Sequence, residues 1–161
     1  MKRQLNFNTV LASLFGIGFI PFAPGTFGSL AAFGIYLLLP GSCYAGAGLY
    51  IFPFVILLPA LLSVKLCHKA ETVLGEDAGS IVLDEFWGYF VATLFLPHSW
   101  LIGLYALILF RVFDIAKPFP IYRSQRLKRG WGVIIDDLLA GLYANIIIQI
   151  LIRIYPVFFG I

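Results

Sequence analysis

"RGWGVIIDDLLAGLYANIIIQILIRIY", residues 129–155, decides how the rest of the chain is read. Asp136 and Asp137 stand side by side at the head of an apolar run that begins at Leu138 and continues to Tyr155. A run of that length nearly suffices for a helix across the ~30 Å hydrocarbon core of a bilayer, which takes about 20 apolar residues. The composition points the same way. Of 161 residues 12% are charged and 61% hydrophobic, with a mean hydropathy of +0.96; soluble domains carry about 25% charged residues. Further apolar segments at 27–39, 49–66, 86–96 and 101–110 are separated by breaks at 39–48, 67–80, 96–100 and 111–132. The expectation is an all-α, polytopic membrane helical bundle of about five membrane segments, some short or re-entrant, in one domain over 1–161. Residues 1–24 are expected along the interface or dipping in and returning, and retained, because no A-x-A cleavage site precedes "PFAPGT".

The charges orient this bundle. Lys65, Lys69, Arg111, Lys117, Arg123, Arg126, Lys128 and Arg129 lie in or beside the second and fourth breaks, and the first and third contain no Lys or Arg. By the positive-inside rule the second and fourth breaks face the cytoplasm. Lys2 and Arg3 belong on that side too, with Arg153 near the outer end of the last crossing. All eight acidic residues, Glu71, Glu76, Asp77, Asp84, Glu85, Asp114, Asp136 and Asp137, gather at the same breaks. Topology therefore accounts for the net charge of +3, and no nucleic-acid partner is needed. Cys43 and Cys67 make no metal or redox spacing and read as buried small hydrophobes.

Three stretches carry chemistry. In "FRVFDIAKPFP" (110–120), Arg111, Asp114 and Lys117 are spaced i, i+3, i+6 and form one stripe on a helix. Pro118 ends that helix at Lys117. Alternating plus, minus, plus suits a metal-phosphate site, the carboxylate taking a cation and the bases phosphate oxygens; an interfacial ion-pair stripe is the plainer reading. "SIVLDEFWG" (80–88) sets Asp84 and Glu85 before an apolar segment, as "IIDDLLAG" does with Asp136 and Asp137. Acids at helix N-termini gain about 0.3–1 kcal/mol each from the dipole, which explains one pair better than two converging with Asp114. Packed carboxylates repel unless a divalent cation binds them, and an all-oxygen set without a His/Cys cluster selects Mg²⁺. In "GIGFIPFAPGTFGSLAA" (16–32), Thr26 is a candidate N-cap, and Gly25, Gly28 and Ser29 would leave backbone amides open to an anion. Close helix packing through Gly28 and Ala32 is the structural alternative. His68 is a candidate base or phosphate contact, or simply a surface histidine.

"PFAPGTFGSLAA", "CH" at 67–68, "GSIVLDEFWG", "FRVFDIAKPFPI" and "GWGVIIDDLLAG" together resemble bacterial phosphatidylglycerophosphatase A, over about residues 16–144. The resemblance implies a Mg²⁺-dependent, multi-pass phosphatase of the bacterial inner membrane with its active site on the cytoplasmic side. It would hydrolyse phosphatidylglycerophosphate to phosphatidylglycerol and phosphate in phospholipid biosynthesis. Asp84, Glu85, Arg111, Asp114, Lys117, Asp136 and Asp137 fall on the family's polar motif positions. One departure is Arg129, where the family often has Gly. On this reading Asp84, Asp114, Asp136 and Asp137 hold metal, and Glu85 or Asp137 is the general base. Arg111 and Lys117 take phosphate oxygens, while Gly25, Thr26, Ser29 and His68 contact substrate.

The chain lacks Cys-x₅-Arg and D-x-D-x-T, so two covalent phosphatase routes have no sequence support. A membrane ion or phosphate transporter is the rival from another class, since intramembrane carboxylates often mark ion paths. A headgroup-binding scaffold would leave the carboxylates unexplained.

Overall fold

Helix propensity and apolar periodicity produce an all-helical chain, with no strand among the described residues. The computed structural model describes residues 6–76 and 78–161; Lys2, Arg3 and Asp77 lie outside them. In order come α1 (Phe7–Ala12), α2 (Pro24–Leu38), α3 (Gly48–Leu74), α4 (Leu83–Thr93), α5 (Trp100–Ala116), α6 (Ile121–Ser124) and α7 (Trp131–Ile154). Local chemistry sets the boundaries. The Asn6 side chain accepts the Thr9 N–H at 2.9 Å while the Thr9 hydroxyl accepts the Asn6 N–H, a reciprocal cap that starts α1. Ser99 Oγ accepts the Ile102 N–H at 3.2 Å and starts α5. Lys117 ends α5 in the left-handed region at φ 41°, as expected ahead of Pro118. The start of α2 differs from expectation: Pro24 occupies its first turn, with Ala23 at the cap, because proline's fixed φ suits a first helical position. Thr26 is therefore inside the helix and does not cap it.

Two helices are longer than their apolar runs. α3 continues past Leu66 to Leu74 because Cys67 and Ala70, both buried, keep one packed face through the polar stretch. α7 begins at Trp131, so Asp136 and Asp137 lie in its second turn, 3% and 2% exposed, inside the bundle and not at the head of a segment. Length also revises the topology. α3 and α7 are long and apolar enough to cross a membrane. At 1.5 Å per residue α2, α4 and α5 measure about 22, 16 and 25 Å, short of the ~30 Å core. The expected five segments thus reduce to two that span by length alone.

Packing then fixes directions. A methyl group at Gly88 of α4 would meet the Asp137 carbonyl of α7, and one at Gly141 the Gly88 carbonyl, so the two helices touch through backbone. Asn145 further along α7 donates to the Ala92 and Leu94 carbonyls at 3.2 and 2.7 Å; α4 and α7 run in parallel. α5 runs against α4, since Glu85 pairs with Arg111 while the Tyr89 hydroxyl donates to the Gly103 carbonyl. α2 lies parallel to α4, with Gly28 against Val82 and Phe33 against Tyr89. The start of α2, α4 and α7 and the end of α5 therefore meet at one end of the bundle. Between them sits a core of Tyr36, Tyr89, Ile102, Phe110, Ala144 and Ile148. The outward surface is apolar: Phe54 is 73% and Leu62 63% exposed on α3, and Leu142, Ile146, Ile150 and Ile154 make an exposed stripe on α7. Apolar area on this scale marks a surface that water does not cover, and with two apolar helices it fits membrane association.

Candidate active site

The carboxylates assigned to chemistry, Asp84, Glu85, Asp114, Asp136 and Asp137, lie at the shared end of the bundle. Asp84 and Glu85 occupy the first turn of α4. Asp137 faces them from α7, through the close approach that Gly88 and Gly141 permit. One oxygen from each of Asp84, Glu85 and Asp137 lies within 4.8 Å of the others. Each residue also has a buried carboxylate oxygen, Oδ1 of Asp84, Oε2 of Glu85 and Oδ2 of Asp137, without a hydrogen-bond partner among the described residues. Leaving such an atom unmade costs more than a normal hydrogen bond contributes, so three together call for a ligand. A hard divalent cation fits this all-oxygen donor set.

The cationic half adjoins it. Arg111 Nη1 lies 2.6 Å from Asp114 Oδ2 and 3.9 Å from Glu85 Oε1. Lys117 Nζ lies 2.6 Å from Asp136 Oδ2 and 3.8 Å from Asp114 Oδ1. The Arg111, Asp114, Lys117 stripe is thus real, and Asp114 is its centre. Asp114 also comes within hydrogen-bonding reach of Asp137, which joins the stripe to the three-carboxylate cluster. Burial pulls the Lys117 ammonium downward, but its hydrogen bond to Asp136 and the charges of Asp136, Asp114 and Asp137 prevail and raise it above the usual lysine value. Lys117 is therefore charged at neutral pH. Arg111 Nε is buried and has no hydrogen-bond partner among the described residues, a donor in position for a further anion.

The remaining candidates separate. Gly25 is at the site: a Cβ there would fall on Glu85 Oε1 and crowd Arg111 Nη1, so any side chain would push the ion pair aside. Ser29 donates its hydroxyl to the Gly25 carbonyl at 2.9 Å and is fully buried, which makes it a support for Gly25. Thr26 sits half-buried in the first turn of α2. His68 stands apart on α3, 3.8 Å from Glu71. Two features escaped sequence reasoning. Glu85 belongs with Asp84 and Asp137, whereas Asp114 and Asp136 face the cations. Cys67, completely buried, lies within electrostatic reach of Glu85 and Asp137, and no cysteine spacing could have signalled that.

A family model for phosphatidylglycerophosphatase A matches residues 10–152. The chain belongs to the phosphatidylglycerophosphatase A family. It is accordingly an enzyme, a phosphatase. It is 45% identical to phosphatidylglycerophosphatase A of Haemophilus influenzae, covering 86% of this chain and 85% of that one. To phosphatidylglycerophosphatase A of Escherichia coli it is 37% identical, over 82% and 76% of the two chains. It is 35% identical to a Bacteroides thetaiotaomicron protein named "Putative phosphatidylinositol-3-phosphatase", over 93% and 96%. No solved structure matches the chain.

Proposed function

We propose that the protein hydrolyses the terminal phosphomonoester of phosphatidylglycerophosphate, giving phosphatidylglycerol and inorganic phosphate, with Mg²⁺ held by Asp84, Glu85 and Asp137. The observation that carries this reading is the three orphaned carboxylate oxygens set directly beside the Arg111–Asp114–Lys117 stripe. Bound there, the cation would offset the carboxylate charges and polarise the phosphate. Arg111 binds non-bridging oxygens through its Nε edge, and Lys117 supplies a second positive charge, both offsetting charge that grows as water adds to phosphorus. Asp114 and Asp136 hold the two bases in place. Glu85 is the least buried of the three clustered carboxylates and faces Arg111; it takes the proton of the attacking water. The bond from phosphorus to the glycerol oxygen breaks, and that oxygen takes up the proton Glu85 removed from the water and leaves as the hydroxyl of the lipid product. Gly25 lets the phosphate come close to Glu85 and Arg111.

The chain would sit in the cytoplasmic membrane of a bacterium as a multi-pass protein, α3 and α7 spanning and α2, α4 and α5 crossing with their polar flanks or part-way. Its polar end would face the cytoplasm, because Lys65, Lys69, Arg123, Arg126, Lys128 and Arg129 cluster at that end. A transporter gains no support: the middle turns of α3 and α7 carry no charge.

The test is phosphate release by the purified protein in detergent from phosphatidylglycerophosphate and, separately, from phosphatidylinositol 3-phosphate, with Mg²⁺ and then with chelator. Release from the first, abolished by chelator and restored by Mg²⁺, is expected. Release from the inositol lipid alone would transfer the protein to the specificity named for the Bacteroides relative. Release that ignores chelator would remove the cation.

A further inference from the structure

Outside the carboxylate cluster, one face of α3 changes character along its length. Leu61, Lys65 and Lys69 are spaced i, i+4, i+8 and form a column, apolar first and then twice basic. Val64 stands beside Leu61, and Arg129 and Trp131 close the other side from the start of α7. With His68, which lies 3.8 Å from Glu71, these six side chains line a groove of about 330 Å³. Its wall is overwhelmingly apolar, with cations on the rim at one end only. None of Lys65, Lys69 and Arg129 makes an ion pair among the described residues, and no carboxylate lines the groove itself; Glu71 and Glu76 line the adjoining cavities that Arg129 also borders.

The groove continues the exposed apolar surface of α3, where Leu57, Leu58, Leu61 and Leu62 face outward. An occupant must match an apolar body on one side and negative charge on the other, at the level where the apolar helix surface stops. Those are the properties of a membrane lipid with an anionic headgroup, and a basic pocket between helices on the cytoplasmic side binds such headgroups. Trp131, 45% exposed, has the amphipathic ring that settles at the headgroup level. Arg129 is held at φ 63°, where a residue with a Cβ is uncommon. The same arginine borders a narrow cavity of about 40 Å³ that reaches Asp136, so the groove rim and the polar interior share one cation.

We infer that the groove between α3 and α7 is a second lipid site, which holds an anionic phospholipid by its phosphate at Lys65, Lys69 and Arg129 and by an acyl chain along Leu61 and Val64. It is separate from the cluster that performs the hydrolysis, and it binds lipid whether or not that lipid is a substrate. It does not depend on the assignment of phosphatidylglycerophosphate as substrate.

Native mass spectrometry of the detergent-solubilised full chain tests it, with added dioleoyl phosphatidylglycerol, dioleoyl phosphatidylcholine and water-soluble glycerol 3-phosphate. The wild type should retain phosphatidylglycerol about tenfold more strongly than phosphatidylcholine, and glycerol 3-phosphate should not compete. The Lys65→Gln/Lys69→Gln/Arg129→Gln variant should lose that preference while keeping its helical circular dichroism. Lys128→Gln, a base of the same loop that does not line the groove, should keep it. Equal retention of both lipids by the wild type would overturn the proposal. So would loss of the preference in Lys128→Gln to the same degree, which would mark general surface charge, or competition by glycerol 3-phosphate, which would mark a plain anion site.

Discussion

The two ends of the bundle are built from the same helices and face opposite chemical problems. At one end α2, α4, α5 and α7 bring Asp84, Glu85, Arg111, Asp114, Lys117, Asp136 and Asp137 into one buried network. At the other, the Tyr36 hydroxyl donates to the Ser99 carbonyl and accepts the Ser99 N–H, His98 Nε2 meets the Tyr36 carbonyl at 2.9 Å, and Tyr44 stacks on His98. Every polar atom named at that aromatic end is matched within the fold. At the carboxylate end, buried oxygens of Asp84, Glu85 and Asp137 have no hydrogen-bond partner among the described residues. The difference teaches that the aromatic end serves stability, whereas the carboxylate end carries unmet demand of the kind a bound cation would relieve. Three helix N-termini pointing at the site, each equivalent to roughly half a positive charge, lessen that demand without removing it.

Substitutions can break or sharpen this contrast. Asp137→Asn should lower phosphate release about a thousandfold, equivalent to about 4 kcal/mol of transition-state stabilisation. In metal-free protein the same variant should melt no lower than wild type, since it removes like-charge repulsion; a large drop in melting temperature would make Asp137 a structural residue. Gly25→Ala should reduce kcat/KM by about 10- to 100-fold, because displacing Glu85 and Arg111 by an ångström misaligns the phosphate. Its melting temperature should stay close to wild type, as the atoms struck belong to side chains.

Smaller effects follow. Mg²⁺ at about a hundred times its dissociation constant should stabilise the protein by about 2.7 kcal/mol, read as a rise in melting temperature. Asp84→Asn should abolish that rise and Asp136→Asn should keep most of it, because Asp136 faces Lys117. At the aromatic end Tyr36→Phe should cost about 1 kcal/mol of stability from its lost hydrogen bonds and leave kcat unchanged. Lys117 gives the smallest signal. Its pKa is raised by folding, so its contribution is complete below the unfolded lysine value and is lost as pH climbs through the folded one. Thermal melts above about pH 10 should therefore fall more steeply for wild type than for Lys117→Met.

Much of this was legible in the chain. The five apolar segments became α2, α3, α4, α5 and α7, because periodicity and a low charge content leave helices as the way to satisfy the backbone. The Arg111, Asp114, Lys117 spacing gave the observed stripe, since i, i+3 neighbours on a helix need no tertiary information to meet. Glu85 was harder. Sequence grouped Asp114 and Asp136 with Asp84 and Asp137, but the nearest partners are set by how far α4 sinks against α7, and the contact of Gly88 with Gly141 decides that. The sequence points to Gly25 for its bare amide, but its value in the fold is the space it leaves beside Glu85 and Arg111.

Sequence alone determined which residue types sit near one end of an apolar helical chain: charge cannot be spread through segments that must pack or face lipid, so it collects where they stop. Only the tertiary structure decided how those charges divide, three carboxylates to one cluster and two to the cations. That division depends on ångström-scale approach between helices remote in the chain, and no spacing along a single helix encodes it.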